Sequence, residues 1–201
     1  MSDQGTAARI AAVAQRIVVE EGADAVSMRR VGEAAGITAM AIYRHYPNRE
    51  ALLRAVADTC ARELAGRWQQ RPVTGGLVER IDAMLDDFLD FALGSPHLYT
   101  FLMLDPWARA KRFPDDFHAD EGPFGALVKL VEEGMHVGLL REDDPLEVTL
   151  TVTSAAQGLV QHYLGGRVAM KESDFRELCH RTVRRIVDGL AGGIAPISGM
   201  S

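Results

Sequence analysis

Cysteine is nearly missing from this 201-residue chain: only Cys60 and Cys179 occur, each inside a helical pattern and far apart in sequence. Two isolated cysteines make neither a disulfide framework nor a metal-ligand cluster, and are expected as buried free thiols in a reducing cytoplasm. No run of ~18 or more apolar residues is present, so no membrane span is expected. Met1 to Gly5 is polar and acidic, without a basic region leading into an apolar one, so no secretory signal is expected either. A glycine-rich phosphate loop, a serine between glycines at nucleophile spacing and a His-Glu-x-x-His pair are all missing. The histidines, His45, His97, His118, His136, His162 and His180, are scattered without metal-ligand spacing. An enzyme, a cofactor and a metal site are therefore not expected. Asp115-Asp116 and Asp143-Asp144 read as loop charges.

Positive charge is also in short supply, with 22 Lys+Arg against 28 Asp+Glu and a net charge of −6. That balance argues against a nucleic-acid partner for the chain taken whole. The shortage is uneven, however. Up to and including Arg71 there are ten basic and eight acidic residues, a net +2, and beyond it twelve and twenty, a net −8. The first part is where phosphate contacts are to be sought. The 47% hydrophobic and 25% charged fractions are those of a globular protein. The length allows a sizeable core without disulfides or metals.

What the chain has in abundance is helical periodicity. Ile10, Val13, Ala14, Ile17 and Val18 recur along one face of a helix from Thr6 to Glu21, with Thr6 as its cap and Gly22 as a left-handed end. Short helices are expected from Ser27 to the break at Gly36, and from Thr38 to about His45, where Pro47 stops the second. Asn48 caps a fourth helix whose core side is Leu52, Leu53, Val56, Ala57, Cys60 and Leu64. The stretch Arg71-Pro72-Val73-Thr74-Gly75-Gly76 is the clearest break. Beyond it, helices are expected over Leu77 to Ala92, from Pro96 through Leu104, around Phe124 to Met135, and over Pro145 to Leu164 and Ser173 to Leu190. Residues 105–122 read as irregular, and no period-2 pattern long enough for a paired strand occurs. The expectation is an all-α chain: a small helical unit over residues 1–50, a linking helix over 48–70, and a larger helical domain over 71–201.

Ser27 to Tyr46 is the informative segment. Two short helices meet across Gly36, which tolerates positive φ, with Gly32 where the helices come nearest and Val31, Ile37 and Ile42 as apolar plugs. This is the pattern of a helix-turn-helix, whose second helix enters the DNA major groove. The longer string Val26-Ser27-Met28-Arg29-Arg30-Val31, Ala35-Gly36-Ile37-Thr38 and Ile42-Tyr43-Arg44-His45-Tyr46-Pro47-Asn48-Arg49-Glu50-Ala51-Leu52 resembles the DNA-binding domain of the TetR family of transcriptional regulators. The resemblance covers Arg9 to Leu53. The expected phosphate contacts are Ser27 and Thr38 at helix starts, Tyr43, His45, Arg49 and one of Arg29 and Arg30; Thr38, Ala39, Met40 and Arg44 are expected at base edges. Tyr46 reads as a packing aromatic. The chain has Arg49 where the family often has lysine, and Met40-Ala41 where it often has Gly or Pro followed by Thr or Ser. The operator is therefore not transferable from the family. The segment before Arg9 carries no Lys or Arg, so minor-groove insertion is not expected of it.

The resemblance further implies an all-helical C-terminal domain that dimerises and binds a small effector, with the protein working as a cytoplasmic repressor on a palindromic operator of double-stranded DNA. The last two helices would form the contact between subunits, because Phe175, Leu178, Cys179, Thr182, Val183, Ile186, Val187 and Leu190 give a wide apolar face. Tyr99, Phe101, Met103, Trp107, Phe124, Met135, Gln157 and Tyr163 are candidates for a pocket accepting a largely apolar effector, although apolar helical stripes are core by default. Thr149, Thr151, Thr153 and Ser154 form a polar run that faces a pocket, faces a partner, or bonds back to the preceding turn. The rival reading is a helical ligand-binding or scaffold protein whose helix-turn-helix contacts protein instead of DNA.

Overall fold

The computed structural model describes residues 3–69, 74–105, 113–115 and 122–191. Among them every regular element is helical. The expected irregular stretch and interdomain break lie partly outside the described residues, and Trp107 lies wholly outside them. The chain divides into two compact units, one of residues 1–70 with 94–110 and the other of 71–93 with 111–201.

The first unit contains α1 (Asp3–Glu21), a 3-10 turn (Ala23–Ala25), α2 (Met28–Ala35), α3 (Ala39–Tyr43), α4 (Arg49–Gln69) and α6 (Pro96–Met103). Helix α1 is the hub, packing on α2, α4 and α6. Ile10, Ala14 and Val18 of α1, Val31 of α2, Ile42 of α3 and Leu52, Leu53 and Val56 of α4 are fully buried. Each of these valine, leucine and isoleucine side chains contributes roughly 1.5–3 kcal/mol on removal from water. Helix α6 adds Tyr99 and Phe101, both buried. The sequence boundary near Arg71 puts residues 94–110 with the C-terminal domain; in the structure they group with the first unit, because α6 lays these aromatics on α1 and α4.

Helix α1 begins at Asp3, so Thr6 lies inside it and does not cap it. Gly22 ends it with φ 88° and ψ 169°, a region open essentially to glycine alone and distinct from the left-handed helical geometry expected there. The chain then makes the 3-10 turn that the periodicity did not announce. Ser27, Thr38 and Asn48 cap α2, α3 and α4 as expected, accepting from the N–H groups of Arg30, Ala41 and Ala51 at 3.2, 3.3 and 2.8 Å.

The second unit holds α5 (Leu77–Gly94, all but its last residue), α7 (Pro123–His136), α8 (Pro145–Leu164) and α9 (Glu172–Ala191). Helix α8 is central, packing on α7 and α9. Leu127, Leu130 and Val131 of α7, Val148, Val152 and Val160 of α8 and Phe175, Cys179 and Val183 of α9 make its core. Tyr163 stacks on Phe175 with ring centroids 4.1 Å apart. Asp144, read from sequence as a loop charge, is the cap of α8: its Oδ1 accepts from the N–H groups of Leu146 and Glu147 at 2.8 and 3.2 Å. Within the threonine run, Thr151 and Thr153 bond back to the carbonyls of Glu147 and Thr149 at 2.9 and 2.8 Å, whereas Thr149 is fully buried. Both cysteines are buried free thiols, and burial pushes each thiol pKa up to about 11.

Candidate nucleic-acid interface

Helices α2 and α3 are held together by a very close approach. A Cβ on Gly32 would lie 2.9 Å from the carbonyl oxygen of Ile37, so only glycine fits without movement of backbone. Gly36 follows in left-handed geometry, φ 65° and ψ 34°, where an L side chain is disfavoured. The N–H of Ile37 donates back to the carbonyl of Gly32 at 3.0 Å. Val31 and Ile42 plug the angle between the helices with no exposure at all. Ile37 is only half-buried and plugs it in part.

With Ile42 turned in, the opposite side of α3 is turned out. Met40 is 71% exposed and Tyr43 48%, although both are large and apolar enough to be expected in a core. Thr38 and Arg44 are exposed beside them, and Ala39 and His45 are half-buried. Of the two neighbouring arginines, the structure separates the roles. Arg29 faces solvent, with its side chain 86% exposed and only a 3.7 Å ion pair to Glu33 one turn on, an interaction of a few tenths of a kcal/mol. Arg30 instead pairs with Glu21 and donates to the carbonyl of Ala25, and that carboxylate bond raises its pKa. Ser27 is exposed at the start of α2. The predicted residues Ser27, Arg29, Thr38, Ala39, Met40, Tyr43, Arg44 and His45 therefore come together on α2, α3 and their flanks.

Arg49 differs from expectation. It opens α4, but its guanidinium points into the protein: Nε donates to the carbonyl of Val26 at 2.8 Å and Nη2 to that of Ala23 at 2.7 Å. Asp24 lies 3.8 Å from the same Nη2. A free phosphate-binding cation is not what this geometry provides. Nothing in the residue type predicts the direction of the fork; the replacement of lysine by arginine was the only signal. Tyr46 behaves as a packing aromatic, its hydroxyl donating to the carbonyl of Ala7 at 3.3 Å and its pKa raised by burial.

The predicted effector residues among the described ones are divided between the two units. Tyr99, Phe101 and Met103 lie on α6 in the first unit, the first two buried in its core and Met103 partly exposed. Phe124 and Met135 of α7 and Gln157 and Tyr163 of α8 are half-buried in the second unit. A groove of about 320 Å³ in that unit runs between α5 and α9, lined by residues including Val78, Ile81, Val183 and Val187, and none of the predicted residues lines it. Among the described residues no helix is long and apolar enough to cross a membrane, and no three His, Cys, Asp or Glu side chains cluster as metal ligands.

Known proteins agree with this architecture. Residues 10–56 match the family of bacterial regulatory proteins called the tetR family, and residues 81–186 match a tetracyclin repressor-like C-terminal domain. The chain is 30% identical over 175 residues to the HTH-type transcriptional repressor AcnR of Corynebacterium glutamicum, a match covering 86% of this chain and 89% of the relative. Its fold resembles that of a protein of unknown function from Rhodococcus sp. RHA1, with a TM-score of 0.73 at 22% identity over 93% of this chain and 96% of the other. It also resembles a tetR family transcription regulator from Shewanella sp. PV-4, with a TM-score of 0.66 at 16% identity over 94% and 99% of the two chains. A helix-turn-helix with an outward α3, followed by a helical domain of the matching type, makes this chain a member of the TetR family of DNA-binding transcriptional regulators.

Proposed function

We propose that the protein is a ligand-responsive repressor that binds a palindromic operator as a homodimer in the cytoplasm and leaves it when a small, largely apolar effector binds. The observation that carries the DNA part is the outward face of α3. Met40 and Tyr43 are exposed apolar groups next to Arg44 on a helix fixed from behind by Ile42 and Gly32. In the proposed complex Thr38, Ala39, Met40 and Arg44 meet base edges, with guanine suited to the arginine and thymine methyls to the alanine and methionine. Ser27, Arg29, Tyr43 and His45 hold phosphates, which position the protein without reading sequence. The name of the corynebacterial relative supports repression as the sign of the effect.

The apolar stripe of α9 supports the dimer. Phe175, Cys179, Val183 and Val187 are buried within one chain, while Leu178, Thr182, Ile186 and Leu190 are only half-covered. A two-fold partner on α8 and α9 would cover them and set two α3 helices about one DNA turn apart. The effector would act by fitting a conformation whose two reading helices no longer match the operator, with a coupling of roughly 1–3 kcal/mol. Tyr99, Phe101, Met103, Trp107, Phe124, Met135, Gln157 and Tyr163 remain the proposed source of its contacts.

Alanine at Tyr43 and Arg44 tests the interface. The double variant keeps its helicity and oligomeric mass but loses duplex binding, and the wild type binds less tightly as salt is raised. Unchanged affinity of the double variant, or wild-type binding indifferent to salt, would favour a protein partner for the helix-turn-helix.

A further inference from the structure

The connection between α1 and α2 is short of its own backbone bonds. Ala25 donates to the carbonyl of Gly22 at 3.3 Å and Val26 to that of Ala23 at 3.1 Å, and α2 begins two residues beyond Val26. Two arginines add donors to it, a second one for the Ala23 carbonyl and one each for those of Val26 and Ala25. Arg49 reaches from the first residue of α4 to the carbonyls of Val26 and Ala23, and Arg30 reaches back from α2 to that of Ala25. The Arg49 contacts matter most for position, because they link two different helices. Nε and Nη2 are neighbouring donors of one rigid plane, and they meet two carbonyls three residues apart. An ammonium offers its protons from a single atom and cannot reproduce that fork.

We infer that Arg49 is a positioning residue for DNA binding: its guanidinium fork ties the α1–α2 connection to the first turn of α4 and so sets where α2 and α3 stand. The anchor at each end is firm. Asn48 caps α4 by accepting from Ala51 at 2.8 Å, and Val26 is 1% exposed. Beyond Val26 the chain passes into α2 through the Ser27 cap, and the contact between Gly32 and Ile37 makes α2 and α3 move as one body. A shift at Val26 is therefore carried to Met40, Tyr43 and Arg44. Two of the five guanidinium N–H groups are committed to these carbonyls, which makes the planar shape of Arg49, and not its charge alone, the property the connection depends on. The inference rests on the DNA-binding reading, and goes beyond it in assigning a role opposite to the surface contact expected of a cation at this place.

The test compares Arg49→Lys and Arg49→Ala with the wild type in two measurements. The first is amide hydrogen exchange of the full chain without DNA. The fork account expects faster exchange at Ala25, Val26, Arg30 and Val31 in both variants, whereas exchange unchanged from wild type there overturns it. The second is operator affinity as a function of salt, using a duplex selected by the wild type. Both variants are expected to bind roughly tenfold or more weakly than wild type with the same dependence on salt, since no phosphate contact is lost. Wild-type affinity in Arg49→Lys, with a salt slope lower by about one in Arg49→Ala, is the signature of a phosphate contact and overturns the inference. If the wild type itself selects no duplex, the DNA reading fails, and the exchange measurement still decides whether Arg49 holds the connection.

Discussion

Gly32 approaches Ile37 so closely that a methyl group on Gly32 would sit 2.9 Å from the Ile37 carbonyl oxygen. The obstacle is backbone and cannot swing aside. Gly32→Ala therefore forces α2 and α3 apart and is expected to destabilise the protein by about 1–3 kcal/mol despite alanine's better helix propensity. Gly66, in α4, has open space around its missing Cβ, so Gly66→Ala is expected to stabilise by roughly 0.5–1 kcal/mol. Urea denaturation of the two variants checks the contrast, and a stabilised Gly32→Ala protein would show that the tight crossing is absent.

Thr149 is fully buried in α8, and among the described residues its hydroxyl has no hydrogen-bond partner. An unsatisfied buried hydroxyl costs about 1–3 kcal/mol, and valine fills nearly the same space without it. Thr149→Val is expected to raise the melting temperature, with stabilisation of roughly 1 kcal/mol or more. A loss of stability would mean that the hydroxyl is satisfied in solution, for example by water.

His180 of α9 lies between two carboxylates of α5, with Nδ1 3.0 Å from Asp82 and Nε2 2.8 Å from Asp86. Two ionised carboxylates only accept, so this arrangement favours the imidazolium form, in which both ring nitrogens donate. Burial alone would lower its pKa, but the bonds to Asp82 and Asp86 outweigh burial and raise it. For Asp82 burial pushes upward, and the bonds from Arg184 and His180 bring the value below its ordinary one. On the basic side of the cluster, Arg176 pairs with Asp90 and Glu172 at 2.8 and 2.9 Å. The contribution of His180 is complete below its unfolded pKa and disappears as pH rises through its folded value. That of Asp82 is present above its unfolded pKa and disappears as pH falls through its folded one. The seam between α5 and α9 is thus strongest between about pH 4 and 6.5. Stability of wild type minus His180→Asn, measured across pH, is expected to shrink from that window toward alkaline pH, and a difference that grows with pH would contradict the charged ring.

Much of this architecture is written locally. Helix α8 runs from Pro145 to Leu164, the bounds expected from its periodicity, and the caps at Ser27, Thr38 and Asn48 fall where short polar side chains precede apolar runs. What depends on distant contacts was not readable. Asp144 is the exception, a local signal passed over: a short acidic side chain directly before Pro145, accepting from N–H groups two and three residues on. Tyr99 and Phe101 have the stripe of a core helix whichever unit claims it, and only packing assigns them to α1 and α4. The fork of Arg49 could swing out or in, and the carbonyls of Ala23, in a 3-10 turn invisible in the periodicity, and of Val26, just after it, draw it in. The use of each charge was similarly indirect: Arg29 on α2 and Arg44 just after α3 are exposed, while Arg30 and Arg49 donate to carbonyls of the α1–α2 connection.

The most direct test of the account is selection of the purified protein against random double-stranded DNA, with the bound stoichiometry read by mass. The account predicts enrichment of an inverted repeat whose half-site centres lie about one helical turn apart, bound by two chains or a multiple of two. Enrichment of no sequence, or of a single unrepeated site bound by one chain, would contradict it.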